Sequence, residues 1–172
     1  MKKFISSVLC LIAAIVGIYL MIDGISGIMG DKKDIKSIVK INETISDKDG
    51  VAFCVTNVSD DKNVGNGYGE ATTENNYITV SISIINNGND PYNVNALRFL
   101  LIEDSKEYQY SEETIYSYDN YMTMDTINPG ISKEYRLVYE TPTSSTEREY
   151  ILKIKPVGFS DKDSLYITLK NK

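Results

Sequence analysis

The chain predicts an all-β fold, an antiparallel β-sandwich of seven or eight strands behind one N-terminal apolar helix, and three observations predict it. The first is the run YITVSISIINN at residues 77–87, where Ile78, Val80, Ile82 and Ile84 share one parity and Thr79, Ser81 and Ser83 the other. A pleated strand puts the four β-branched side chains on one face and the three hydroxyls on the opposite face. The second is the recurrence of short alternating runs bounded by turn residues. The third is the lack of any helical period after residue 37, so packed sheets must form the core.

Taken in order, Lys2 and Lys3 precede an uncharged run over residues 4–22, FISSVLCLIAAIVGIYLMI. Nineteen residues at helical rise span roughly 28 Å, a bilayer's hydrocarbon thickness. The expectation is an anchor or signal segment over residues 1–30, a charged linker over 31–37 and an immunoglobulin-like sandwich over 38–172. The membrane is then a partner through residues 4–22, with the C-terminal domain extracytoplasmic; secretion after signal cleavage is the alternative. Lys32, Lys33, Lys36 and Lys40 follow the run and argue the other way by the positive-inside count. Ala13 and Gly17 form a small-xxx-small pair suited to helix packing.

Strands are expected at 38–45, 51–58, 77–87, 96–103, 107–110, 131–140, 150–155 and 165–169. Asp47-Lys48-Asp49-Gly50 links the first two, and Asp104-Ser105-Lys106 is a hairpin tip. Asn86, Asn87, Gly88, Asn89, Asp90 and Pro91 end the central strand, because Gly and Asn accept positive φ and Pro donates nothing to a ladder. Asn128-Pro129-Gly130 launches the strand from Ile131. Tyr135, Leu137 and Tyr139 alternate with Glu134, Arg136, Val138 and Glu140; Tyr150, Leu152 and Ile154 alternate with Lys153 and Lys155. Each of these strands is expected to have a wet face. Residues 59–76 and 111–126 lack periodicity and are expected to be loops.

Composition excludes chemistry. The 172 residues contain no histidine, so there is no imidazole base, no Ser-His-Asp or Cys-His pair and no His-ligated zinc. Residues 31–172 carry 16 basic against 23 acidic side chains, a balance that repels nucleic acid. Cys10 lies in the apolar run, where Ser7-Val8-Leu9 is a poor lipidation context. Cys54 falls in a predicted strand and reads as a small buried hydrophobe. No disulfide joins positions so placed.

Residues from about 50 to 169 resemble a telokin-like, immunoglobulin-like domain of unknown function found in bacterial cell-surface lipoproteins and membrane-anchored proteins. The segments that carry the resemblance are ITVSISIINNGNDPYNV, ALRFLLIEDSKEYQY and INPGISKEYRLVYETP. The resemblance implies an extracytoplasmic immunoglobulin-like sandwich and assigns no chemistry. The chain departs from lipoprotein members in lacking a usable lipidation cysteine.

For function, the segment EETIYSYDNYMTMD places Glu112, Glu113, Asp119 and Asp125 among Tyr116, Tyr118 and Tyr121. Tyrosines give large amphipathic contact area at low entropy cost, and end loops are where sandwiches usually bind. These residues are the expected binding surface of a non-enzymatic module contacting a protein or glycan. A structural subunit of a membrane complex is the alternative, with a calcium-binding surface domain behind it. The pairs Asp47/Asp49, Asp60/Asp61 and Asp161/Asp163 offer oxygens for calcium but lack an EF-hand pattern, so the expectation is no metal, no catalytic residue and no cofactor. Oligomeric state is not legible.

Overall fold

The structure is a computed structural model. It describes residues 38–65, 69–111, 125–142 and 149–169. The described strands are β1 Ile38–Lys40, β2 Thr44–Ser46, β3 Val51–Gly65, β4 Glu70–Asn86, β5 Tyr92–Asn93, β6 Leu97–Glu103, β7 Lys106–Gln109, β8 Thr126–Ile127, β9 Ser132–Thr141, β10 Ile151–Pro156 and β11 Leu165–Thr168. One sheet has the order β1-β11-β10-β6-β7, a second β2-β3-β4-β9, and β5 with β8 forms a short ribbon. The chain is an all-β sandwich, antiparallel except where β1 runs parallel to β11.

Its core is one apolar cluster. Phe53, Val55, Ile78, Val80, Ile82, Ile84, Leu137 and Tyr139 come from one sheet, and Phe99, Leu101, Leu152, Ile154 and Ile167 from the other. The parity expected for β4 holds, since Ile78, Val80, Ile82 and Ile84 are all sealed from solvent. The hairpin between β6 and β7 turns on Asp104 and Ser105, both at positive φ (44° and 69°), which matches the right-handed twist of its strands.

Four expectations are corrected. The first expected strand, 38–45, is two strands in different sheets. Asn42 adopts φ 67° between them and donates its amide to Val55 O at 2.8 Å, so the chain crosses from one sheet to the other there. That crossing, with the short β5 and β8, is why the described strands exceed the expected count. Second, residues 59–65 and 70–76 are strand and not loop. β3 and β4 continue past the core as a ribbon whose register shifts between Asp61 and Asn63, so that Asn63 pairs with Thr72 and Val64 with Ala71. Val64 is buried with Tyr77 and Val138, giving a second small apolar cluster. That cluster also removes Val138 from the wet face expected of β9.

Third, Cys54 is half-buried and not in the core: it follows Phe53 and precedes Val55, both core residues, so the pleat turns it outward. Fourth, Lys153 is only 3% exposed although its parity is the outward one. Its ammonium is 2.6 Å from a Glu107 carboxylate oxygen and 3.4 Å from Asp161, which itself binds Lys155 at 2.7 Å. Burial alone pushes Lys153 down, but the Glu107 hydrogen bond and the charges of Glu107 and Asp161 outweigh it and hold the ammonium above its usual value.

The helix expected at residues 4–22 lies outside the described residues. Among the described residues no helix is long and apolar enough to cross a membrane.

Candidate binding site

Of the expected binding surface, Glu112, Glu113, Tyr116, Tyr118, Asp119 and Tyr121 lie outside the described residues. Asp125, from the same segment, is described and is structurally committed. Both its carboxylate oxygens are 2.7 Å from the Lys133 ammonium, and one accepts from the Tyr135 hydroxyl at 2.8 Å. Those two donors, Lys133 first, hold its carboxyl below the usual carboxylate range. Asp125 therefore pins the chain leading into β8 against β9.

The aspartate pairs are also occupied by local structure. Asp47 Oδ1 accepts from the amides of Asp49 and Val51 at 2.9 and 2.8 Å, closing the turn between β2 and β3. Asp61 Oδ1 accepts from the amides of Lys62 and Asn63. Asp161 binds Lys155 and Lys153. Among the described residues no three acids or cysteines converge on one point.

What the folding does build is an apolar cleft of about 350 Å³ at one end of the sandwich. One wall is the turn after β2, with Ser46, Asp47, Lys48 and Asp49; the other is the chain between β10 and β11, with Pro156, Val157, Phe159, Ser164 and Leu165; Tyr92, Ala96 and Leu97 line it between them. Each wall has a local cause. Gly50 stands at φ 83° and lets the β2–β3 turn close. Val157 donates its amide to Ala96 O at 2.7 Å, fixing the far wall to a single 3-10 turn, Val94–Ala96, which Asn93 caps through the Asn95 amide. A second short turn, Asp161–Asp163, is capped by Ser160 and held down by Lys155.

The walls touch through side chains. The Tyr92 hydroxyl donates to Asp47 Oδ2 at 3.1 Å, and burial first, then the Asp47 charge, pushes that phenol well above its ordinary value. The Lys48 ammonium sits 5.5 Å from the centre of the Phe159 ring, a cation–π geometry. Phe159 is nevertheless 57% exposed and Val157 45%, so the far wall offers bare apolar surface to solvent. Ser164 keeps its hydroxyl oxygen shielded there, with no partner among the described residues.

A second hollow adjoins the cleft across Asp49 and Tyr92, lined also by Asn86, Gly88, Asn89, Asp90 and Pro91. It depends on the turn that ends β4. A Cβ at Gly88 would stand 2.6 Å from Asp49 O, so glycine is needed there for the close approach of two backbones. Its role is not the positive φ expected of it. The signal in the sequence for this whole end was Val157-Gly158-Phe159, two large apolar residues inside an otherwise polar turn.

Solved structures with the same fold support the architecture. A "putative lipoprotein" from Bacillus subtilis is 20% identical over 74% of this chain, with a TM-score of 0.55; this chain spans 38% of that protein. An uncharacterized β-sandwich protein from Clostridium difficile is 19% identical, over 81% of this chain and 99% of its own, with a TM-score of 0.53. MPT63, a secreted protein from Mycobacterium tuberculosis, is 11% identical, over 78% of this chain and 97% of its own, also at 0.53. At these identities the likeness is one of fold. A search of the curated proteins finds no match. Residues 39–164 match the model of a domain of unknown function, DUF4352, and the chain belongs to that family.

Proposed function

We propose that the chain is an extracytoplasmic, non-enzymatic binding module of telokin-like, immunoglobulin-like type, tethered to the cell membrane through residues 4–22, which takes a macromolecular ligand at the end cleft. The observation that carries this reading is the pairing of an apolar cleft with exposed Val157 and Phe159 on its wall. Bare apolar surface rimmed by charge is the usual mark of an interaction site. The walls are positioned by hydrogen bonds, among them Tyr92 to Asp47 and Val157 to Ala96.

The non-enzymatic part is supported by the absence of histidine from the sequence, which removes the imidazole base and the Ser-His-Asp and Cys-His pairs. Location outside the cytoplasm is supported by the basic head and apolar run at the N-terminus, and by neighbours named a lipoprotein and a secreted protein.

The test is cross-linking on intact cells with a membrane-impermeant reagent, followed by recovery through a C-terminal tag. The wild-type chain is expected to yield a discrete cross-linked partner. The double variant Val157→Ser/Phe159→Ser is expected to lose it with a melting temperature within a few degrees of wild type, both side chains being largely exposed. Equal recovery from the variant overturns the cleft as the site. No labelling of a chain that is present in membranes would mean that the sandwich faces the cytoplasm.

A further inference from the structure

The end cleft is selective in shape and in charge. We infer, resting on its being the binding site, that its occupant is a polypeptide segment that presents one large apolar side chain next to a lysine or arginine. A volume of about 350 Å³ stands at the small end of ligand sites, enough for a side chain and its immediate neighbours. The surfaces that would meet that side chain are Leu97, Pro156, Val157, Phe159 and Leu165, all apolar.

The rim supplies the second half of the recognition. Around the cleft and the adjoining hollow stand four aspartates against two lysines. They are not equally available. Asp47 is committed to Tyr92 and to its own turn, and Lys48 lies over the Phe159 ring. Asp49, Asp90 and Asp163 are exposed and make no ion pair among the described residues. Asp49 and Asp163 edge the apolar cleft and Asp90 the adjoining hollow, and with Asp47 they outnumber Lys48 and Lys162, so the rim is net negative and complementary to a cation set beside an apolar group. A neutral oligosaccharide fits less well: it would leave the rim aspartates without a cation, and the Tyr92 hydroxyl is already bound to Asp47.

The experiment uses the full chain in phosphatidylcholine nanodiscs and three fluorescein-labelled pentapeptides, Gly-Lys-Phe-Lys-Gly, Gly-Glu-Phe-Glu-Gly and Gly-Lys-Ser-Lys-Gly, read by anisotropy. The first is expected to bind about tenfold more tightly than either of the others, the difference in charge narrowing as salt is raised. Asp49→Asn/Asp163→Asn is expected to abolish the preference for lysine over glutamate, and Phe159→Ser to weaken all three. Equal binding of the lysine and glutamate peptides, or of the phenylalanine and serine peptides, overturns the inference. So does binding of chitotetraose with no peptide binding. If no peptide binds while the cell-surface partner is still captured through Val157 and Phe159, the class of occupant is wrong and the site stands; if capture also ignores those residues, the site itself is wrong.

Discussion

Asn86 closes the last rung of β4 and organises the turn beyond it with one side chain. Its amide nitrogen donates to Asp90 O and to Ile127 O, both at 2.8 Å, and its carbonyl oxygen accepts from the Gly88 amide at 2.9 Å. Its backbone binds Ile131 O and the Gly130 amide, so three turns meet at one buried residue. Asn87, next to it, is exposed and offers only its backbone amide, to Gly50 O. Asn86→Ala is therefore expected to cost on the order of 3 kcal/mol, because it strands a donor and two acceptors away from water. Asn87→Ala should stay within about 0.5 kcal/mol, as for other exposed positions. Midpoints of urea unfolding for the two variants check the contrast, and similar losses at both positions would contradict the role given to Asn86.

The ribbon of β3 and β4 beyond the core is held by a few contacts. Val64 meets Tyr77 and Val138, and the carboxylate of Glu140 accepts from the Thr73 hydroxyl and the Asn75 side chain, which hold it below the usual carboxylate range. Val64→Ser is expected to speed hydrogen exchange at Ala71 and Thr72 about tenfold or more while leaving Val80 and Ile82 unchanged, since local opening follows local burial. Unchanged protection at Ala71 would show that pairing alone holds the ribbon. This ribbon was illegible as sequence for a physical reason: both its faces are largely polar, so no period of two marks it. The buried strands β4, β9, β10 and β11 were legible because each alternates apolar with polar residues, and β6 because a short apolar run ends at a hairpin tip. Lys153 escaped because its partners Glu107 and Asp161 lie on other elements. The split between β1 and β2 escaped because the bond that stabilises it, Asn42 to Val55, is non-local.

At the scale of the molecule, the two sheets enclose the core, and in the reading proposed above a partner meets the turns at one end. The tyrosine-rich segment expected to bind lies outside the described residues, whereas Val157 and Phe159 stand exposed on a wall tied to β10 and to the turn before β6. The exposure of Phe159 was not legible in the sequence, because a loop phenylalanine is told from a core one only once its neighbours are known. The most direct measurement replaces Phe159 by the photoreactive p-benzoylphenylalanine in the full chain, in cells that make it natively, with the same replacement at exposed Asp61 on the ribbon as the comparison. Irradiation is expected to give a discrete adduct from position 159 and none from position 61. An adduct from position 61 with none from 159 would contradict the account and move the binding surface to the ribbon.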